Sequence, residues 1–151
     1  MSSTNLRAEI MVEQVRLARL SQQPIQIADC VAAVSSDDAG AVASFSGVVR
    51  NHDRGRTVTS LEYEGHPSAE ALLRAAAETV GKEYPGVRIA VEHRTGSLEV
   101  GDLALACAVS SAHRAEAFAA CARLVDEVKK QVPIWKRQYF ADGTTEWVGV
   151  E

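Results

Sequence analysis

Cysteine is scarce in this sequence, and its spacing gives it no evident chemical role. The three cysteines lie far apart and include no C-x-x-C pair, which argues against both a zinc knuckle and a disulfide framework. The four histidines form no ligand-spaced pair either, so the sequence predicts no metal site. Cys107 lies in an apolar run and Cys121 on the apolar stripe of a helix, so we expect both to be buried packing residues rather than nucleophiles.

The chain also lacks an apolar run of membrane-spanning length and a net positive charge. No apolar segment approaches the roughly 20 residues that a transmembrane helix needs. Residues 1–20 mix charged and apolar side chains without a signal-peptide core, which predicts an amphipathic helix and a cytoplasmic location. The formal net charge of −4 argues against nucleic-acid binding through bulk electrostatics. Any anion site must therefore be a local concentration of cations.

What is present is a chain of 151 residues with 46% hydrophobic content, enough for one globular domain with a substantial core. We predict a helical extension over residues 1–24 and a single domain over residues 25–151. Strands and helices mix without regular βαβ alternation, which indicates an α+β fold with an antiparallel or mixed sheet. The predicted strands lie near residues 24–27, 40–50, 58–64, 87–95, 103–110, 135–140 and 145–148, and the predicted helices near 29–34, 68–84 and 112–131.

The segment 129–137, Lys-Lys-Gln-Val-Pro-Ile-Trp-Lys-Arg, is the most informative part of the chain. Pro133 ends the preceding helix and forces Val132 into an extended conformation. Lys129 at the helix end and Lys136 after the proline can then face each other across a corner, as in an anion site. The alternative is a solvated basic helix end, which the helix dipole also favours.

Helical geometry separates the two adjacent lysines. At about 100° per residue, Lys129 falls at the border of the apolar stripe of its helix, near Phe118, whereas Lys130 points to the opposite side. We expect Lys129 to be partly desolvated beside other cations, which lowers the pKa of its ammonium group. Lys129 is therefore the candidate acid–base residue. The stripe consists of Phe118, Cys121, Leu124, Val125 and Val128.

A second cationic cluster, His113 and Arg114, lies at a strand-to-helix junction. Unpaired backbone N–H groups at a helix start attract anions, and Ser110 or Ser111 can cap this helix. Arg114 opposes the helix dipole there, which hints at function. The alternative is that Arg114 pairs with a carboxylate such as Glu116.

A third cluster, Arg50-Asn51-His52, lies at a strand end beside a polar loop that contains Arg54 and Arg56. Arginine suits bidentate phosphate contacts, so Arg50 is a candidate anion ligand. For Arg54 and Arg56 a solvated hairpin is the better interpretation.

Five separated motifs, in order and without large gaps, resemble the large, catalytic subunit of molybdopterin synthase, the MoaE family. The resemblance covers roughly residues 25–150. The motifs are Gly-Ala-Val-Ala-Ser-Phe-Ser-Gly-Val-Val-Arg-Asn-His at 40–52, Leu-Glu-Tyr-Glu at 61–64, Gly-Ser-Leu-Glu-Val-Gly-Asp at 96–102, Ser-Ala-His-Arg at 111–114, and Lys-x-x-x-Pro-x-Trp-Lys at 129–136.

This resemblance implies an α/β hammerhead fold with an additional antiparallel β subdomain. It also implies sulfur transfer to cyclic pyranopterin monophosphate, which forms the dithiolene of molybdopterin, without a resident cofactor. The sulfur would arrive as the C-terminal Gly-Gly thiocarboxylate of a small ubiquitin-like carrier subunit, one at each end of a homodimer, giving a heterotetramer. Lys129 and Lys136 match the family's two active-site lysines. The positions that match the lining of its pterin-phosphate pocket are Arg50, His113, Arg114, Arg137 and Gln138.

Two positions depart from the family pattern. Val48 stands where some relatives have lysine, and Gln138 where some have glutamate. One alternative is therefore a non-catalytic paralogue that binds a carrier tail or a phosphorylated pterin. A stand-alone phosphoester hydrolase is a third possibility, but the metal ligands or nucleophile–base pair that it requires are missing from the sequence.

Overall fold

The computed structural model describes residues 14–149 of the chain. Strands and helices both occur, and the α+β class is confirmed. None of the helices among these residues is long and apolar enough to cross a membrane. In chain order the elements are β1 (Val15–Ser21), α1 (Ile27–Val34), β2 (Ala41–Val48), β3 (His52–Asp53), β4 (Arg56–Gly65), α2 (Ala69–Glu83), β5 (Arg88–Arg94), β6 (Gly96–Glu99), β7 (Leu103–Ser111), α3 (Arg114–Gln131), β8 (Ile134–Phe140) and β9 (Thr145–Val148).

A four-stranded mixed sheet in the order β1-β5-β7-β2 forms the centre of the fold. β1 and β5 are parallel, whereas β5–β7 and β7–β2 are antiparallel. α2 and α3 cover one face of this sheet, and the main core lies beneath them. α1 covers the other face over a smaller cluster that includes Cys30 and Val34. Because both faces are covered, β7 is buried along nearly its whole length and its sequence is continuously apolar instead of alternating.

A second, five-stranded sheet is antiparallel and contains β3, β4, β6, β8 and β9, with β4 between β6 and β8. The chain passes from the first sheet to the second where β5 ends and β6 begins. Gly96 has a φ of +90° at this passage, a conformation that glycine adopts without a Cβ penalty. A small cluster at the junction includes Val49, Leu61, Leu98 and Ala104. This sheet is the antiparallel subdomain that the resemblance implied.

The helix predicted over residues 1–20 is wrong for its described part, because Val15–Ser21 is the strand β1 of the central sheet. The side chain of Arg19 there donates to Glu92 of β5 at 2.8 Å, and that carboxylate is only 1% exposed. The charged residue that suggested an exposed helix face thus pairs with a buried carboxylate. The described part of the proposed extension, residues 14–24, therefore belongs to the domain, while residues 1–13 lie outside the described residues.

Two further local predictions need correction. Residues 24–26 are not a strand, and Ile27 already begins α1. Phe118 does not belong to the buried stripe of α3, because its side chain is 66% exposed. The buried face of α3 instead includes the small residues Ala117 and Ala120, which lie one and two residues away from Phe118 and let the helix approach the sheet closely.

Candidate active site

The corner predicted around Pro133 is present. α3 ends at Gln131, and Val132 is extended, with φ −88° and ψ 119°. β8 begins immediately afterwards, at Ile134. The Pro133 carbonyl accepts a hydrogen bond from the backbone N–H of His66 at 3.0 Å, which ties the corner to the end of β4. The proline therefore turns the chain from the helical layer into the second sheet.

A cleft of about 480 Å³ opens at this corner, between the two sheets. Its cations are Arg50, Lys129 and Lys136, which come from the end of β2, the end of α3 and the start of β8. The rest of the wall is mostly apolar or aromatic. The remaining lining residues are Phe45, Gly47, Val48, Tyr63, His93, Ala104, Leu105, Val128, Val132, Ile134, Val148 and Gly149.

The predicted difference in direction between the two adjacent lysines is confirmed, but the predicted difference in burial is not, because both residues are exposed. Lys129 lines the cleft and Lys130 does not. The partial burial expected for Lys129 is wrong, because the residue is exposed in this chain. Its neighbour in the expected arrangement, Phe118, also faces solvent. Lys129 thus reaches the cleft from its open rim.

Gln138 and Arg50 are connected through Asp53, which the sequence did not single out. The side-chain amide of the buried Gln138 donates to Asp53 at 2.9 Å, and Asp53 lies 3.9 Å from the guanidinium of Arg50. This amide hydrogen bond and the nearby cations Arg54, Lys136 and Arg50 lower the pKa of Asp53. The result is a fixed carboxylate beside the cationic wall. Gln138 holds Asp53 through this hydrogen bond but does not itself line the cleft of this chain.

Arg137 lies on the opposite face of β8 from Lys136, as strand alternation requires. Its guanidinium carbon is 5.1 Å from the ring centre of Tyr139 and 5.5 Å from that of Trp147, at the distance of cation–π contacts. Its Nε is buried without a hydrogen-bond partner. A substrate-binding role for Arg137 and Gln138 stays a prediction.

His113 and Arg114 lie at the opposite end of α3 from Lys129. Fifteen residues of helix at 1.5 Å each separate Arg114 from Lys129 by roughly 22 Å. Both His113 and Arg114 are exposed. Glu116 accepts a hydrogen bond from Ser111 at 3.2 Å, and the expected capping of the helix by a serine side chain is absent, because the residue at the cap position is His113. One chain therefore does not bring these two residues to the cleft.

Two cleft residues, His93 and Tyr63, were missed by the sequence reasoning. Their rings meet edge to face with centres 4.9 Å apart. The alternation of β5 was the available signal, because it places His93 on the same face as Ile89 and Val91, which lie in the main core. Burial lowers the pKa of His93 and raises that of Tyr63.

The cysteines are buried as predicted, and this extends to Cys30. Burial is the main reason that the pKa of each thiol is raised, to about 12 for Cys30, where the nearby Glu92 carboxylate adds to the effect. Thiols of this kind are poor nucleophiles near neutral pH. The residues 14–149 also contain no cluster of His, Cys, Asp and Glu that could hold a metal ion.

The depressed pKa of His93 predicts a pH-dependent stability. Below its unfolded-state pKa of about 6.5, the unfolded chain binds a proton that the folded ring resists, so stability is lost as the pH falls. For one titrating group, the free energy of unfolding changes by at most about 1.4 kcal/mol per pH unit. Denaturant unfolding between pH 7 and pH 5 should show this slope in the wild type and a smaller one in His93→Asn. Equal slopes in the two proteins would show that His93 is not the titrating group.

Comparison with known proteins agrees with the fold. The family model described as MoaE protein matches residues 20–131. The molybdopterin synthase catalytic subunit 1 of Mycobacterium tuberculosis is 41% identical over 134 residues, 87% of this chain and 89% of the relative. The molybdopterin synthase structure from Staphylococcus aureus superposes with a TM-score of 0.83 at 33% identity, covering 87% and 96% of the two chains.

A more distant structure shows the same fold. It is a complex of subunits 1 and 2 of the molybdopterin-converting factor from Helicobacter pylori, with a TM-score of 0.58 at 22% identity, and the match covers 76% of this chain and 73% of that one. The family match spans most of the described chain and includes four of the five motifs in full and the first lysine of the fifth. The chain belongs to the MoaE family.

Proposed function

We propose that this chain is the catalytic subunit of a molybdopterin synthase, an enzyme that transfers sulfur to a phosphorylated pterin. The observation that carries the proposal is the convergence of Arg50, Lys129 and Lys136 on one cleft in a member of the MoaE family. These cations come from three separate elements, so the fold, and not a local charge run, concentrates them. The overall formal charge of the protein is −4, so the cleft is a local concentration of positive charge on a negatively charged protein.

The substrate of the proposed reaction is cyclic pyranopterin monophosphate, and the sulfur donor is a carrier thiocarboxylate. Both are anions, and both match a cationic cleft. Arg50 can hold the phosphate and stabilise the charge that develops when its ring opens. Lys129 can move protons as the sulfur attacks, while Lys136 orients the thiocarboxylate or the substrate. Asp53 holds Arg50 from the side of β3.

A small ubiquitin-like carrier subunit with a C-terminal Gly-Gly thiocarboxylate is the expected partner. The cleft is open at the rim where Lys129 lies, so an extended tail could enter it. Because the carrier brings the sulfur, this chain needs no reactive thiol, in agreement with its buried cysteines. The expected compartment is the cytoplasm.

His113 and Arg114 can serve such a site only from a second copy of the chain. They lie roughly 22 Å from Lys129 along α3, too far to bind the same phosphate in one protomer. Phe118, one turn further along α3, is 66% exposed, as expected for a residue that a partner covers. We infer a homodimer in which His113 and Arg114 of one protomer complete the cleft of the other, and a heterotetramer once two carriers bind.

The non-catalytic paralogue remains the second candidate. Val48 lines the cleft with 54% of its surface exposed, at a position where some relatives have lysine, so one cation is missing from the wall. Binding of carrier and pterin phosphate without dithiolene formation would favour this alternative.

Lys129 and Lys130 provide a matched pair for testing the cleft. Lys129→Ala should lower turnover by a factor of about 10² or more, the scale for loss of a positioned proton-transfer group. Lys130→Ala removes a cation outside the cleft and should leave turnover within about twofold of wild type. Lys129→Arg should not restore activity, because arginine stays protonated. Single-turnover conversion of the precursor with thiocarboxylated carrier measures all three. Equal losses at positions 129 and 130 would mean that the segment acts only as a basic patch.

Mixed dimers test whether the site is shared between protomers. Lys129→Ala and Arg114→Ala should each inactivate the homodimer. A purified mixed dimer of the two variants keeps one intact site, formed by Lys129 of one protomer and Arg114 of the other, and should recover about half of the wild-type activity. If both residues acted within one protomer, the mixed dimer would be as inactive as its parents, and the shared site would be wrong.

Replacement of all three cysteines tests the source of the sulfur. The triple variant Cys30→Ala, Cys107→Ala, Cys121→Ala should lose stability, by about 1–3 kcal/mol for each buried thiol, but should retain sulfur transfer while folded. Circular dichroism establishes folding, and the dithiolene assay measures transfer. Loss of transfer in a folded variant, with a persulfide detectable on the wild type, would contradict the carrier mechanism.

A further inference from the structure

The mechanism above leaves one buried titratable group of the cleft without a role. His93 is only 9% exposed, yet it lines the same cleft as Arg50, Lys129 and Lys136. It lies near the end of β5, opposite Leu20 of β1 and Leu105 of β7. On this face of β5, the apolar side chains of Ile89 and Val91 are followed by His93, which lines the cleft.

Hydrogen bonding determines the tautomer of this ring. Nδ1 of His93 lies 2.7 Å from the backbone carbonyl oxygen of Arg94. A carbonyl oxygen only accepts, so Nδ1 must carry the proton and donate it. Burial lowers the pKa of the ring and so favours its neutral form. The second nitrogen, Nε2, is therefore a hydrogen-bond acceptor.

Nε2 has no hydrogen-bond partner among residues 14–149. The described polar partner of the ring is the Arg94 carbonyl at Nδ1, and the ring of Tyr63 meets it edge to face. Among residues 14–149, two side-chain nitrogens are inaccessible and without a hydrogen-bond partner, Arg94 Nε and Arg137 Nε, and His93 Nε2 is not one of them. The small exposed part of His93 thus includes an acceptor, with Tyr63 holding the ring in place.

From this geometry we infer that His93 Nε2 accepts a hydrogen bond from an N–H group of the substrate's pterin ring. The inference rests on the proposed function. It adds that the cations of the cleft recognise the phosphate of the substrate, whereas His93 recognises the pterin ring. Cations suit the phosphate but offer only donors, so they cannot pair with the N–H groups of a pterin. A neutral acceptor in a largely apolar wall, beside an aromatic ring, has the matching chemistry. His93 is therefore a residue that selects for the heterocycle.

Two substitutions separate the functions of the two ring nitrogens. Asn in place of His93 retains a donor near the position of Nδ1 for the Arg94 carbonyl but removes the acceptor at Nε2, whereas Gln places an amide oxygen near the position of Nε2. In steady-state assays with thiocarboxylated carrier, His93→Asn should raise KM for the precursor about tenfold, the equivalent of one hydrogen bond. Its kcat and its affinity for the carrier should change little, and His93→Gln should recover part of the KM.

An unchanged KM in His93→Asn would overturn the inference, as would a loss confined to kcat. A wild-type protein that neither binds a pterin phosphate nor forms dithiolene would instead refute the proposed function itself.

Nitrogen NMR of the wild type gives a test that needs no variant. The ¹⁵N spectrum of the His93 ring should show a protonated Nδ1 and an unprotonated Nε2. A pterin phosphate should shift the Nε2 resonance towards that of a hydrogen-bonded nitrogen, and inorganic phosphate at the same concentration should not. A protonated Nε2 would refute the inference. So would an unshifted Nε2 when pterin fluorescence shows that the site is saturated.

Discussion

The break between α3 and β8 is the constraint on which the site depends. Pro133 cannot continue a helix, and the extended Val132 turns the chain from the helical layer into the second sheet. Lys129 and Lys136 would otherwise lie on one helix, seven residues apart and nearly two turns away from each other. The turn instead places one lysine on the rim and the other on the wall of a single cleft. The hydrogen bond from His66 to the Pro133 carbonyl anchors this arrangement.

The passage of the chain between the two sheets forms the rest of the cleft. β5 of the central sheet carries His93 next to its last residue and leads through Gly96 into β6 of the second sheet. β4 contributes Tyr63 from the second sheet, so the two rings meet where the sheets diverge. The ring wall that we assign to the pterin and the cations that we assign to its phosphate each draw residues from both sheet layers of the fold. A substrate that contacts residues of both sheets would hold the two sheets in one relative position.

The two ends of α3 explain why a single chain looks incomplete as an enzyme. The helix is rigid and buried along one face, so it holds Arg114 and Lys129 at a fixed separation of roughly 22 Å. Sequence motifs carry no information about such distances, so the motifs alone assign all these cations to one pocket. The site that we propose, shared between two protomers, would make catalysis depend on assembly.

Local chemistry that neighbouring residues decide was predictable from the sequence. The helix break at Pro133 and the placement of Lys129, but not Lys130, at the cleft follow from backbone sterics and helical periodicity, and the burial of the cysteines follows from their apolar surroundings. Pairing across the fold was not predictable in this way. The sequence around Arg19 resembled a solvated helix. In the structure Arg19 pairs with the buried carboxylate of Glu92, 73 positions away, and β1 is a strand of the central sheet.

The same limit applies to the exposed Phe118, to Asp53 beneath Arg50 and to His93 in the cleft wall. Each depends on which distant element lies opposite, and periodicity along one strand or helix does not contain that information. The sequence by itself determined the family, the helix break and the pair of lysines that line the cleft, because these depend on neighbouring residues and on motif order. Only the tertiary structure decided which side chains share a cavity, since that depends on the packing of two sheets and three helices against one another.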